Sequence, residues 1–377
     1  MANVLQRIQG TAVTVDYLGL QQKRRPDWRG LLDNILRKGT PDRTYHIELF
    51  HDQEVANAII ERFDLEEGLD RDRVDFGRRR FLALQRFCGF DYVYLGLQGV
   101  NIPIPGNATK DTADLKRSGG RRYADYSTGV IRTWGDFERF DWPDPHLDEA
   151  VTELEWWQKN LPEDMCIIGG KFPEMSQCLI GLMGYENLCV SLYEQRDLVK
   201  GVSEKLLEIC RIWLERMLQF DRVKMVWAWD DMGFKTGPFL SPGDMWEFVL
   251  DGHRQLAEIA HGAGRPYLLH SCGNLSVLMD DLINNVKIDG KHSFEDTIED
   301  VREVKHTYGQ RIALLGGIDV DFLCRNDPDT IRQRVRETLD VCQSGGGYCL
   351  GTGNSVANYI PLENYLAMVD EGILYSR

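Results

Sequence analysis

The sequence has little that would suit a membrane, a nucleic acid or an oxidising compartment. No stretch reaches the roughly 18 consecutive apolar residues of a membrane span, and no apolar signal segment surrounds the charged Lys23, Arg24 and Arg25. The net charge of −15 leaves no excess of basic residues for nucleic acid or anionic lipid. Nine scattered cysteines in 377 residues do not form a secreted disulfide framework. We therefore expect a cytoplasmic protein with reduced thiols and with neither a nucleic-acid nor a membrane partner.

Eight short apolar or β-branched runs recur along the chain, and amphipathic helical patterns follow several of them. Alternation of strands and helices is typical of a parallel sheet, and eight such units at this length favour a closed (β/α)₈ TIM barrel. We therefore predict one α/β domain that spans residues 1–377. The runs are 46–50, 92–97, 166–170, 225–229, 267–270, 288–292, 312–316 and 347–350.

Two segments stand outside this alternation. Residues 1–43 precede the first run and are predicted to cap the barrel as an N-terminal cap. Residues 100–155 form a long insertion after the second strand, rich in proline, glycine and charge. A connection of that length is usually functional or mobile, so we predict a lid over the active-site rim.

The strongest local signal is the H-x-C sequence of His270 and Cys272 at the end of the fifth run. Residues i and i+2 of a strand point to the same face, so the imidazole and the thiolate can converge on one zinc ion. Cys349, at the end of the last run, is the predicted third ligand. A carboxylate could add a contact, and we favour Glu295, with Asp230 or Asp231 as alternatives.

Polar side chains also follow the other runs, as expected for an active site at the carboxyl ends of barrel strands. Strands often end in polar turns, so any one such end is weak evidence, but eight ends agree. From them we take five residues as candidate substrate contacts: Glu48, Trp229, Phe234, His292 and Asn354.

These motifs resemble the uroporphyrinogen decarboxylase superfamily, from about Thr44 to the C-terminus. The H-x-C…C pattern is similar to that of its zinc-dependent branch, which works with corrinoid proteins and includes methylcobalamin:coenzyme M methyltransferases and O-demethylating methyltransferases. Segments 229–238, 241–242 and 315–321 also look like superfamily segments. The resemblance implies a methyltransferase with zinc held by His270, Cys272 and Cys349.

Two departures limit what the resemblance implies. The arginine-rich segment with which porphyrinogen decarboxylases grip substrate carboxylates is missing from residues 28–43. A D-x-H-x-x-G corrinoid-binding signature is missing too, so we expect cobalamin to arrive on a partner corrinoid protein. A homodimer is an open possibility.

The direction of methyl transfer remains open between two half-reactions. Aromatic residues near the predicted rim favour an aryl methyl ether as the small methylated substrate, with Asp230, Asp231 or Glu174 as proton donor to the leaving oxygen. The alternatives are a methylcorrinoid:thiol methyltransferase, a uroporphyrinogen decarboxylase-like carboxy-lyase and a non-catalytic zinc protein. The aromatic residues are Phe172, Trp229, Phe234, Phe239, Phe294, Tyr348 and Tyr359.

Overall fold

The computed structural model describes residues 17–99, 101–117, 119–171 and 173–375, together with the backbone of 6–8 and 11–13. Some residues of the predictions lie outside the described residues: 1–5, 9–10 and 14–16 of the N-terminal cap, Val100 and Ser118 of the insertion, and the rim residue Phe172.

A seven-stranded parallel sheet forms the centre of the molecule, in the order β13-β12-β11-β10-β7-β6-β3. Its strands are β3 (Tyr92–Leu95), β6 (Cys166–Gly170), β7 (Val223–Trp229), β10 (Tyr267–His270), β11 (Gly290–His292), β12 (Ala313–Leu315) and β13 (Tyr348–Cys349). Three antiparallel pairs lie outside it: β1 (Gln6–Ile8) with β2 (Thr11–Val13), β4 (Gly106–Thr109) with β5 (Arg121–Ala124), and β8 (Gly233–Phe234) with β9 (Gly237–Pro238).

Helices connect the parallel strands. They are α1 (Trp28–Ile35), α2 (Gln53–Arg62), α3 (Phe76–Phe87), α4 (Trp134–Arg139), α5 (Thr152–Asn160), α6 (Met175–Met183), α7 (Tyr185–Glu194), α8 (Arg196–Met217), α9 (Pro242–Met245), α10 (Asp251–Gly262), α11 (Met279–Asp281), α12 (Val301–Tyr308), α13 (Val320–Arg325), α14 (Pro328–Cys342) and α15 (Leu362–Leu374). A 3₁₀ turn covers Asp148–Val151, and π-helical turns cover Trp246–Leu250 and Leu282–Val286. In the described part of the chain, no helix combines the length and apolarity needed to cross a bilayer.

The first predicted strand, 46–50, contacts the sheet through an isolated bridge and single hydrogen bonds and does not form a regular strand. His46 forms an isolated parallel bridge with Leu350, and Ile47 N donates to Leu350 O at 2.8 Å. On the opposite side, the Tyr92 hydroxyl bonds both the N–H and the carbonyl of Glu48, at 2.8 and 2.9 Å. The segment thus contacts β13 and β3, the two edges of the curled sheet. Seven of the eight strands are confirmed, and full closure of the barrel stays a prediction.

The core lies between the sheet and its helices. All five residues of β6 are buried, as expected for a parallel strand covered on both faces. Helix α8 turns one apolar stripe inward, with Leu206, Cys210 and Trp213 all buried. Each large apolar side chain buried in this way contributes about 1.5–3 kcal/mol. This packing holds the carboxyl ends of the strands at fixed positions.

The described part of the predicted insertion lies against the helices that follow β6. Ile131 N donates to Leu182 O at 2.8 Å, and Tyr185 N donates to Tyr126 O at 2.7 Å. Asn358 Nδ2 donates to Asp111 Oδ2 at 2.6 Å, which joins the insertion to the loop after β13. The insertion is therefore attached at two places near the strand ends, and its action as a lid stays a prediction.

The buried carboxylate of Asp370 ties the N-terminal segment to α15. Its Oδ1 accepts from the N–H groups of Gly19 and Leu20 at 2.6 and 2.9 Å, and its Oδ2 pairs with Arg332 at 2.6 Å. We expect Asp370→Ala to lower the free energy of unfolding by about 3 kcal/mol, because it leaves buried donors and a partly buried cation without their acceptor.

Urea denaturation measures this loss. The matched control is Asp33→Ala, which removes one partner of the exposed Asp33–Lys38 pair and should cost less than about 1 kcal/mol. Equal losses of stability in the two variants would contradict the role of Asp370 in joining the N-terminal segment to α15.

Candidate metal centre

Three electron-pair donors converge where β7 and β10 end. His270 is the last residue of β10, Cys272 lies two residues further, and Asp231 lies two residues past the end of β7. His270 Nε2 is 3.6 Å from Cys272 Sγ and 3.4 Å from Asp231 Oδ1, and the three donor atoms all lie within 4.8 Å of one another. The donor atoms of His270 and Cys272 therefore lie close together, as the two-residue spacing predicted.

The distances from His270 Nε2 to the other two donors match what tetrahedral zinc requires. With ligand distances of about 2.0 Å for nitrogen, ~2.1 Å for oxygen and ~2.3 Å for sulfur, tetrahedral coordination separates nitrogen from sulfur by about 3.5 Å and nitrogen from oxygen by about 3.4 Å. The observed separations are 3.6 and 3.4 Å. Three mixed protein ligands with a fourth position open is the usual composition of a catalytic zinc site. The residues fit the metal that the resemblance implies.

His292 fixes the orientation and the proton of the His270 ring. Its Nε2 lies 3.2 Å from the Thr352 carbonyl, which can only accept, so Nε2 carries a hydrogen. Burial, with His270 as a neighbour, holds the pKa of His292 well below its ordinary value, so its Nδ1 is unprotonated. His270 Nδ1 is 2.6 Å away and must donate. His292 therefore occupies the Nδ1 side of the ring, and Nε2 is the nitrogen of His270 that faces Cys272 and Asp231.

The Cys272 sulfur has two further polar neighbours. Asn354 Nδ2 donates to it at 3.2 Å, and the Ser293 hydroxyl lies 3.3 Å away. Burial and the Asp231 carboxylate raise the pKa of the Cys272 thiol to about 12. Hydrogen-bond donors and a bound cation both favour the thiolate, so this group is suited to bind a metal and not to react as a free nucleophile.

Gly273 allows the chain to turn immediately after the ligand pair. Its φ is +94°, and a Cβ there would lie 2.1 Å from the Gly233 carbonyl oxygen. The N–H of Cys272 donates to Asp231 Oδ1 at 2.8 Å. The close contact between the two loops thus holds Asp231 beside Cys272.

Cys349, the predicted third ligand, does not lie with these donors in the structure. Its thiol is fully buried and accepts a hydrogen bond from Asn34 Nδ2 of α1 at 3.4 Å. Residues that alternate along a strand point to opposite sides, and the register of β13 turns this side chain towards α1. Glu295 is outside the three-donor group, although its charge contributes to the raised pKa of Cys272. Among the described residues, Asp231 completes the group of three donors that could hold a metal.

Asp230, predicted as a proton donor, is committed to the scaffold. It is fully buried, and its carboxylate accepts from the N–H groups of Ser176 at 2.8 Å and Gln177 at 3.1 Å at the start of α6. His253 Nε2 also lies 2.9 Å from it. A carboxylate at a helix N-terminus is stabilised there, so Asp230 joins α6 to β7.

Glu174, directly before α6, keeps the properties expected of a proton donor. Burial, with the negative charges of Asp230 and Asp231 nearby, raises its pKa to about 8. Its side chain lines a cavity of about 260 Å³ together with Lys171 and Trp229. At neutral pH, Glu174 is therefore mostly a protonated acid.

A larger cavity of about 580 Å³ reaches Asp231 from the outside. Helices α6 and α7, the loop after β7 and the insertion form its walls, and five aromatic rings line it. No Lys or Arg is among the described residues that line it. The rings belong to Tyr123, Tyr126, Tyr185, Phe234 and Phe239.

The five predicted substrate contacts fall into two groups. Trp229 and Phe234 line cavities beside the donors, as a substrate contact would. Glu48, His292 and Asn354 are instead hydrogen-bonded to other protein groups, and none of them lines these two cavities. Sequence reasoning missed Tyr126 and Ser293, because an irregular insertion and a strand-end serine carry no periodic signal.

The curled parallel sheet and the donor group at its carboxyl edge define an α/β protein with a candidate metal centre. The sequence profile of the uroporphyrinogen decarboxylase (URO-D) family matches residues 126–372, about two thirds of the chain. The chain belongs to this family. A comparison with curated proteins gives no match.

Two solved structures match the chain to different degrees. A methyltransferase from Methanosarcina mazei has a TM-score of 0.66 and 17% sequence identity, over 93% of this chain and 98% of that chain. A protein described as a vitamin-B12-independent methionine synthase from Listeria monocytogenes has a TM-score of 0.41 and 14% identity, over 90% and 99% of the two chains. The first likeness supports the fold, and the second is too distant to carry an argument.

We expect zinc binding to depend on Asp231 and Cys272 and not on Cys349. Loss of a group that only orients a metal ligand weakens metal binding by ~10–100-fold. Chelator competition on the purified protein should show a larger loss of zinc affinity for Cys272→Ala and for Asp231→Ala.

Cys349→Ala is the control and should retain its zinc. If a folded Cys349→Ala protein lost zinc as fully as Cys272→Ala does, Cys349 and not Asp231 would be the third zinc ligand.

Proposed function

We propose that this chain is a zinc-dependent methyltransferase that moves a methyl group between a small methylated substrate and the cobalt of a corrinoid partner protein. The observation that carries the proposal is the donor geometry: the separations of 3.6 and 3.4 Å around His270 Nε2 suit tetrahedral zinc with one open position. Family membership is consistent with it.

The favoured substrate is an aryl methyl ether. The cavity of about 580 Å³ that reaches Asp231 is large enough for a single-ring molecule, and its aromatic walls suit ring stacking. Its charged lining residues are acidic: Asp125, Glu186 and Asp231. A neutral ether is therefore a better occupant than an anionic one.

The same lining argues against two alternatives. A porphyrinogen carries several carboxylates, which Asp125, Glu186 and Asp231 would repel, and the described lining offers no cation to compensate. An anionic thiol acceptor meets the same difficulty, so methylcorrinoid:thiol transfer is the second candidate. A structural zinc would normally have four Cys or His ligands, which this donor set does not supply.

Each group of residues has a separate role in the proposed reaction. Zinc held by Asp231, His270 and Cys272 supplies Lewis-acid polarisation of the ether oxygen. The aromatic walls orient the ring and exclude water. The bond between the methyl carbon and oxygen breaks, the methyl passes to cobalt(I) to give methyl-cobalt(III), and the electron pair stays on oxygen. Glu174 then donates its proton to that oxygen and leaves a phenol.

Methyl transfer can be tested directly with free cobalamin as the acceptor. We expect 2-methoxyphenol to convert cobalt(I) cobalamin to methylcobalamin, followed by absorbance, in the presence of the zinc-loaded protein. Cys272→Ala should slow the reaction by at least about 100-fold, because Lewis-acid catalysis is worth several kcal/mol.

Cys349→Ala should keep its activity in the same assay. Transfer from methylcobalamin to a thiol, with none from any ether, would reverse the proposed direction.

The pH dependence should reveal the acid. Because Glu174 donates only while protonated, demethylation should decline as the pH rises through about 8. Glu174→Gln should abolish this decline and lower the rate by about 10²–10⁴-fold, the range typical of general acid catalysis.

The matched control is Glu186→Gln, which removes an acidic side chain from the lining of the larger cavity and should preserve the decline. A wild-type pH profile in Glu174→Gln would exclude Glu174 as the donor.

A further inference from the structure

The hydroxyl of Thr352 lies between two acceptors. Its Oγ1 is 2.6 Å from Glu48 Oε2 and 2.6 Å from the backbone carbonyl of Asn354. A hydroxyl has one proton and can satisfy only one of them as donor. The carbonyl has no proton to give, so the second short contact is a hydrogen bond only if the carboxyl group of Glu48 carries the proton.

We infer that Glu48 is a neutral carboxylic acid that donates to the Thr352 hydroxyl, and that this bond positions Asn354 against the sulfur of Cys272. Glu48 is thus a positioning residue, separate from the substrate contacts. The inference deepens the proposed function and rests on the proposed metal site.

The surroundings of Glu48 favour the neutral form. The side chain is buried, and Oε1 accepts from the Thr352 N–H at 2.9 Å. The titratable groups that face it are the Cys88 thiol directly after α3, the Tyr92 hydroxyl of β3 and the Tyr365 hydroxyl of α15. All three are neutral at pH 7, because burial raises their pKa values. Burial likewise raises the pKa of Glu48 to about 8.

Among the described residues, no cation is placed to compensate a negative charge on the buried Glu48 side chain. His51, Arg80 and Lys171 line the same cavity as Glu48, yet none of them forms an ion pair with it. Arg80 pairs with Glu66 at 2.6 Å, and His51 is bonded to the Tyr365 hydroxyl at 2.7 Å. Burial also lowers the pKa of His51 to about 4, so its ring is neutral. An ionised Glu48 would therefore be an uncompensated charge inside the protein.

The bond from Thr352 to Asn354 carries the effect to the metal centre. Asn354 is held by its carbonyl, which accepts from Thr352, and by its Oδ1, which accepts from the Ser355 N–H at 2.7 Å. Its Nδ2 is then aimed at Cys272 Sγ, 3.2 Å away. If Glu48 ionised, the Thr352 hydroxyl would turn to the stronger carboxylate acceptor, and the Asn354 carbonyl would lose its donor.

The first test measures the proton on Glu48 through stability. Because the neutral form is favoured in the folded protein, the stability that it contributes is complete below about pH 4 and is lost as the pH rises to about 8. Glu48→Gln mimics the neutral acid and cannot ionise. We expect the difference between the urea midpoint of Glu48→Gln and that of the wild type to increase in favour of the variant from about pH 5 to about pH 8, because only the wild type loses stability there.

Glu174 is present in both proteins, so its own titration cancels in this comparison. Parallel pH profiles of the two midpoints would overturn the inference. This measurement needs no metal and no substrate, so it judges Glu48 even if the proposed function fails.

The second test measures positioning through zinc affinity by chelator competition at pH 7. Thr352→Val removes the hydroxyl with little change of shape and should weaken zinc binding by about 10–100-fold, while Thr352→Ser, which keeps the hydroxyl, should bind like the wild type. Glu48→Gln should also bind like the wild type, because its amide can donate to Thr352 Oγ1 and its carbonyl can accept from the Thr352 N–H.

Circular dichroism establishes that each variant is folded. Wild-type affinity in a folded Thr352→Val protein would overturn the positioning role. A wild-type protein that binds no zinc would overturn the proposed metal centre, and the positioning role with it, but not the protonation of Glu48.

Discussion

The parallel register of β7, β10 and β11 is the constraint on which the candidate metal centre depends. Trp229, His270 and His292 stand at one level across these three strands. Asp231 therefore reaches the metal-facing nitrogen of His270 from one side, and His292 reaches the other nitrogen from the opposite side. Because a hydrogen-bonded sheet sets these positions, the donors are in place before any ligand binds.

Burial sets the protonation around this centre. It keeps His292 neutral, so that His292 accepts a hydrogen bond from His270 Nδ1, and it raises the pKa values of Glu48 and Glu174 to about 8. Two neutral acids beside a donor group that contains Asp231 and Cys272 limit the negative charge that accumulates there. The low polarity of the interior thus produces a proton donor and a positioning group from ordinary glutamates.

Local pattern was enough to predict much of the fold and part of the site. Seven of the eight runs are strands, and the two-residue spacing of His270 and Cys272 does bring their side chains together. Cys349 is not brought to the other two predicted ligands, because β13 has only two residues and the direction of its side chains depends on register with the neighbouring strands. Its hydrogen bond comes from Asn34, 315 residues away, which no local pattern reveals.

The sequence alone determined the alternation of strands and helices, the polar residues at the strand ends and two of the three metal donors, because each of these depends on spacing within one element. Tertiary structure decided that Asp231 lies beside His270 and Cys272, that Asp230 belongs to the scaffold and that Glu48 holds a proton. These properties depend on distances between separate elements and on the removal of water from their contacts, and neither exists until the chain has folded.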